Sequence, residues 1–110
     1  MPIQKNWTPF NESFIQLIPG TPGVYEIGNR YKDGVIRTIY IGSSEISLKE
    51  RLLQHLQPSE PNICIKRYAQ FFRFEVTSNP KDRERILLLE FRIINGGKLP
   101  LLISRYLNYE

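Results

Sequence analysis

Two short runs of β-branched and aromatic residues, Gly23-Val24-Tyr25-Glu26-Ile27 and Val35-Ile36-Arg37-Thr38-Ile39-Tyr40-Ile41, flank a polar stretch closed by Asp33-Gly34. Runs of this kind on either side of an Asp-Gly pair predict an antiparallel hairpin. Upstream, Thr8-Pro9 reads as an N-cap and first helical position. The helix it would open carries Phe10, Phe14, Leu17 and Ile18 on one face and stops before Pro19-Gly20. Downstream, Ser47 with Glu50 three residues on forms a capping box for a helix reaching about Gln57, where Pro58 stops it. Residues 63–69 suit a short helix or turn, and Phe71 to Thr77 alternates as a third strand. Ser78 or Asn79 then caps a long helix from Pro80 to Ile94, ended by Asn95-Gly96-Gly97. The apolar tail from Leu99 to Tyr109 reads as a short docking helix. This order predicts one α+β domain over residues 1–110, with a small three-stranded antiparallel sheet covered by helices.

Several polar positions break this pattern. Each hairpin strand places a Tyr beside a Gly, in Gly23-Val24-Tyr25 and Tyr40-Ile41-Gly42. A strand glycine forfeits packing unless something must approach the backbone closely, and here the arrangement occurs twice. On the middle helix, Leu48, Arg51, Leu52, His55 and Leu56 share a face, so Arg51 and His55 border its apolar stripe. On the long helix Glu90 sits amid Ile86, Leu87, Ile93 and Ile94, where a carboxylate is costly unless paired or bound to a cation. For His55 the alternative is a satisfied core histidine. For Glu90 it is a buried salt bridge to an arginine such as Arg51. Arg83, Arg85 and Arg92 read as a solvated basic flank.

Composition narrows the possibilities. With 15 Lys+Arg against 11 Asp+Glu, a net charge of +4 suits a polyanionic partner without requiring one. The lone cysteine, Cys64, excludes an internal disulfide and a cysteine-based zinc site. No apolar run approaches the roughly 20 residues of a membrane helix, and no signal sequence opens the chain, so a cytoplasmic protein is expected.

Gly23-Val24-Tyr25 followed by Tyr40-Ile41-Gly42 resembles the paired motif of the GIY-YIG nuclease superfamily, with Val in place of Ile. The resemblance extends over about residues 18–102. It takes in Ile18-Pro19-Gly20-Thr21-Pro22-Gly23 before the first strand, Arg51 and His55 on the next helix, and Glu90 on the long one. It implies a Mg²⁺- or Mn²⁺-dependent DNA endonuclease with Tyr25, Tyr40, Arg51, His55 and Glu90 as catalytic residues and Glu90 as metal ligand. Arg51 would contact the scissile phosphate, Tyr25 would act as general base, and Tyr40 and His55 would orient water or relay the proton. Two departures stand out. The Asn that many members carry after the Pro following the Glu helix is missing after Pro100. Ser43 stands where many have Lys or Arg, so among the expected substrate-binding residues Gly42, Ser43, Lys49, Arg30 and Lys32 the phosphate grip would be weaker, or supplied by Lys49, Arg30 or Lys32.

A phenol with a pKa near 10 is ionised about one part in a thousand at pH 7, a cost of about 4 kcal/mol to a Tyr25 base. His55 titrates near neutrality and is the rival. A chain of this size has no room for a separate DNA-reading domain. Specificity would then come from a branched or otherwise structured DNA, a homo-oligomer or a partner protein. The alternative function is a nucleic-acid-binding module of the same fold that has lost catalysis, and a third is an interaction domain whose Glu90 pairs internally.

Overall fold

The computed structural model describes Ile3 and residues 6–97. The tail from Leu99 and the position after Pro100 lie outside the described residues. The hairpin forms as expected, from β2 (Gly23–Arg30) and β3 (Ile36–Ser44). At its turn Gly34 takes φ +85°, which an L side chain rarely adopts, and its N–H donates to the Tyr31 carbonyl. A later strand, β4 (Phe71–Val76), pairs antiparallel with β2.

The sheet has four strands rather than the expected three, in the order β1-β4-β2-β3. The additional strand is β1 (Thr8–Pro9), paired with Phe72 and Phe71 at the outer side of β4. Thr8-Pro9 therefore does not start a helix. A proline fits an edge strand because its missing N–H costs no ladder bond there. The helix begins later: α1 (Glu12–Ile15) is one turn, capped by the Asn11 side chain, which accepts from the Phe14 N–H. The shift buries Ile15 and Ile18 and leaves Phe14 and Leu17 exposed.

Three helices follow. In α2 (Leu48–Leu56) the Ser47 hydroxyl accepts from the Glu50 N–H, which is half of the expected capping box, while the Ser47 N–H donates to the Ser44 hydroxyl instead of the Glu50 side chain. Next is α3 (Ile63–Tyr68), with the Asn62 side chain accepting from the N–H groups of Cys64 and Ile65. Last is α4 (Pro80–Ile94), whose N-cap Asn79 makes no side-chain cap bond.

Strand alternation separates two faces. Tyr25, Ile27, Ile39 and Phe72 face α1, α2 and α3, packing with Ile15, Ile18, Leu48, Leu52 and Ile65. Val24 and Ile41 face α4, packing with Ile3 and Leu87 and, at the margin, Leu88 and Phe91. The nine buried residues of the first cluster against four of the second make the α1–α3 side the main core among the described residues. Each fully buried aliphatic or aromatic side chain stabilises by about 1.5–3 kcal/mol, so a side chain rooted there is firmly held.

The α4 side also holds a charged ladder. Arg73 pairs with Glu26 at 2.6 Å and lies over the Trp7 ring, while Arg83 donates to Glu75 at 2.7 Å. Arg83 thus belongs to the sheet-facing stripe of α4, not to a solvated flank. Leu87, Leu88 and Phe91 supply the apolar contact of this helix, and Ile86, Ile93 and Ile94 are exposed. Among the described residues no helix is long and apolar enough to cross a membrane.

Candidate functional site

The site begins with a missing side chain. Tyr25 on β2 pairs with Gly42 on β3, and the tyrosine ring lies across the glycine. A Cβ at position 42 would stand 2.5 Å from the Tyr25 hydroxyl and 2.8 Å from the Tyr40 ring. The Tyr-Gly pairing in the sequence is thus a close approach. It lets both tyrosine rings stack, with centroids 6.1 Å apart and planes at 26°.

Leu48 and Leu52 seat α2 on the core, which turns Arg51 and His55, four residues apart, toward the tyrosines. The His55 ring stands edge-on to both, 5.6 Å from Tyr25 and 5.5 Å from Tyr40. Its Nε2 lies 2.7 Å from the Tyr25 hydroxyl and its Nδ1 lies 2.9 Å from Glu60 Oε2. The other Glu60 oxygen accepts from the Asn62 N–H at 3.1 Å. Tyr25, His55 and Glu60 are all buried, at 0%, 2% and 8% exposure.

An open cleft of about 690 Å³ lies in front of this row. Tyr40, Gly42, Ser43, Arg51 and His55 line one part of it, and Lys81 and Glu84 of α4 another. Because β3 is an edge strand, the cleft wraps around the free end of the sheet and draws on helices from both faces. Tyr25 sits behind the lining.

Burial pushes the Tyr25 hydroxyl well above the ordinary phenol range, and nearby Tyr40 adds to this while the Arg51 guanidinium opposes it. Tyr40 is raised for the same first reason, again with Arg51 opposing. His55 is lowered, because burial disfavours its charged form more than the Glu60 carboxylate favours it. At neutral pH both tyrosines are therefore phenols and His55 is a neutral imidazole.

Residues 1–93 match a family described as "Domain of unknown function (DUF7508)". The chain belongs to this family. No curated protein and no solved structure matches it. The match attaches no activity to the DUF7508 domain, so what the cleft can do rests on its residues.

Of the residues singled out in the sequence, the DUF7508 fold brings Tyr25, Tyr40, Arg51 and His55 together, with Gly42 and Ser43 beside them. Among the described residues the buried Ser43 hydroxyl has no hydrogen-bond partner. Lys49, Arg30 and Lys32 do not line the cleft. Arg30 lies at the turn end of β2, about 16 Å along the strand from the level of Tyr25 at ~3.3 Å per residue, and Lys32 lies in the turn beyond it. There Arg30 donates to the Gly34 carbonyl and covers the Phe71 ring.

Glu90 is not in the cleft either. It lies on the α4 side of the sheet, 3.6 Å from Arg83, which also pairs with Glu75. Glu75 pairs in register with Val24, so this group belongs to the face opposite Tyr25. The internal ion pair foreseen for Glu90 exists, with Arg83 in place of Arg51.

Three cleft residues escaped the sequence reading. Lys81 and Glu84 are three apart at the start of α4, hidden in a charged run where no periodicity separates cleft from solvent. Glu60 lies in a Pro-punctuated loop that has no pattern to read. Glu84 is the half-buried carboxylate of the cleft wall, and no hydrogen bond or ion pair engages its side chain among the described residues.

Proposed function

We propose that this DUF7508 domain is a divalent-metal-dependent DNA endonuclease that hydrolyses phosphodiester bonds in the hairpin-edge cleft, as its resemblance to GIY-YIG nucleases implies. The observation that carries the reading is the meeting of Arg51, Tyr40 and His55, drawn from two elements, in the lining of one open cleft that Lys81 also lines. Phosphodiester cleavage needs charge stabilisation at the phosphoryl oxygens and an acceptor for the nucleophile's proton. Arg51 is half-exposed in the cleft, donates to the Gln54 side chain at 3.1 Å and interacts with Tyr25 behind it, and its planar fork suits two phosphoryl oxygens. Lys81 adds a second positive charge to the lining of the same cleft.

The donor set fits a weakly held hard cation and not a preformed one. Among the described residues no group of three or more His, Cys, Asp or Glu side chains is arranged to hold a metal. Mg²⁺ is commonly bound through one or two carboxylates, with substrate phosphate and water completing its shell. Glu84 is the carboxylate placed for this, since Glu60 is committed to His55 and Asn62, and Glu90 to the other face. When bound, Mg²⁺ or Mn²⁺ would supply Lewis-acid polarisation of the phosphate.

The proton acceptor is His55 acting through Tyr25, which reconciles the two candidates of the sequence reading. A buried phenol with a raised pKa is a poor base alone. It can pass a proton to Nε2 of His55 while taking one at its own oxygen, and it interacts there with Tyr40 and Arg51 on the cleft side. The expected setting is cytoplasmic. Selectivity would come from DNA shape, a second copy or a partner protein.

The test is incubation of the full chain with linear, nicked and branched DNA, with and without Mg²⁺ or Mn²⁺, beside Arg51→Ala. Metal-dependent cleavage that Arg51→Ala abolishes is expected. Salt-sensitive binding without cleavage of any of these DNAs would favour the binding-module alternative, to which the absence of Glu90 from the cleft lends support.

A further inference from the structure

The loop between α2 and α3 contributes one buried carboxylate, Glu60. Glu60 reaches the site from a segment pinned at several points. Its N–H donates to the Gln57 carbonyl, the Lys66 ammonium donates to the Pro58 carbonyl, and Asn62 caps α3 immediately after. One of its oxygens accepts from the Asn62 N–H and the other stands 2.9 Å from His55 Nδ1. Opposite a carboxylate, which can only accept, Nδ1 is the donor. Nε2 then presents its lone pair, and the Tyr25 hydroxyl donates to it. The three side chains thus form a directed row, from Tyr25 O–H to Nε2 and from Nδ1–H to carboxylate.

We infer that Glu60 is a positioning residue of this site: it holds His55 in the Nδ1–H tautomer, so that Nε2 takes the Tyr25 proton, and it stabilises the imidazolium that results. The inference rests on the nuclease reading for its catalytic consequence but not for the tautomer. A buried histidine serving only as packing is satisfied by a backbone carbonyl. Burying a carboxylate costs more, and its charge matters most when the ring becomes charged. The other ionisable groups facing the ring are Tyr25 from β2, Tyr40 from β3 and Arg51 from α2, with Cys64 of α3 and Lys81 and Glu84 of α4 around the same cleft.

His55 is the single histidine of the chain, so the ¹⁵N spectrum of the labelled full-length protein reports one imidazole. The expected spectrum shows the Nδ1–H tautomer at neutral pH. Glu60→Gln can still accept from Nδ1 but has no charge, so the tautomer should persist while the His55 pKa falls. In the cleavage assay the same variant should lower kcat at least tenfold with KM little changed, and move the acidic limb of the pH–rate profile to lower pH. Glu60→Asp, which restores the charge, should bring that limb back toward the wild-type position. An Nε2–H tautomer in the wild type would overturn the inference, and that spectrum decides even if the variants fail to fold. An unchanged His55 pKa in folded Glu60→Gln would overturn it as well. The expected tautomer and pKa shift in a protein that cleaves no DNA would overturn the nuclease reading and leave the hold of Glu60 on His55 standing.

Discussion

The Tyr25 hydroxyl and His55 Nε2 stand 2.7 Å apart, fully buried, joining the first hairpin strand to the helix thirty residues later. The bond is both a structural tie and the step at which a proton would move. Tyr25→Phe keeps the ring and removes only the oxygen, which leaves Nε2 buried without a partner. Stranding one member of a buried pair costs about 1–3 kcal/mol. Urea unfolding should therefore show a loss of that size, and single-turnover cleavage should fall about a hundredfold or more. Unchanged stability would mean that the bond is not made in solution.

The two groups also set the pH range in which the fold is most stable. The His55 pKa is lowered in the folded state by burial, so the unfolded chain binds its proton more readily. The contribution is complete above the unfolded value of about 6.5 and is lost as pH falls through the lower folded value. Tyr25 works in the opposite direction, since burial raises its pKa. Its contribution is complete below about pH 10 and is lost as pH rises toward the folded value. Denaturant melts across pH should decline on both sides of a neutral plateau. In Tyr25→Phe the alkaline decline should shrink, and in His55→Gln the acidic one.

Gly42→Ala tests the close approach at the hairpin. The added methyl would meet the Tyr25 hydroxyl at 2.5 Å and the Tyr40 ring at 2.8 Å. Neither ring can swing away freely, because His55 stands against both. Overpacking of this kind costs about 1–3 kcal/mol. A drop in melting temperature should accompany a change in the near-ultraviolet tyrosine signal. A variant as stable as wild type with an unaltered spectrum would show that the rings have room to spare.

Legibility in the sequence followed the strength of local rules. The hairpin, the Ser47 N-cap of α2 and the span of α4 were readable because turn chemistry, caps and periodicity agreed there. Strand β1 was not, since two residues carry no period and Thr-Pro serves a helix start as well as an edge strand. In the site, Tyr25 and Tyr40 announced themselves by the glycines beside them, and Arg51 and His55 as polar groups bordering an apolar helix face. Glu90 stood out in the same way as Arg51 and His55 but lies on the other side of the sheet, because the anomaly marks only that a carboxylate is costly there unless engaged. It cannot say on which face of the sheet its partner waits. Glu84 and Glu60 were silent, one inside a charged run and the other in a loop, where being polar is unremarkable.

The two glutamates of α4 can therefore be set against each other. Glu84 lines the cleft, while Glu90 stands 3.6 Å from Arg83 on the far side of the sheet. Glu84→Gln removes a half-buried charge that no ion pair holds, so stability should change by no more than about 0.5 kcal/mol. If this carboxylate receives the cation, cleavage should be lost and the Mg²⁺ dependence of DNA binding should flatten. Glu90→Gln should do the reverse. Arg83 keeps its bond to Glu75, so the cost should stay near about 1 kcal/mol, well short of the 3–5 kcal/mol of a wholly stranded buried charge. That loss should be independent of metal, and cleavage should survive. Melts and cleavage assays of both variants, at several Mg²⁺ concentrations, read the comparison directly. Loss of cleavage in Glu90→Gln with activity retained in Glu84→Gln would return the metal to Glu90. It would also require α4 to reposition when DNA is bound, because in the present arrangement the sheet lies between Glu90 and the tyrosines.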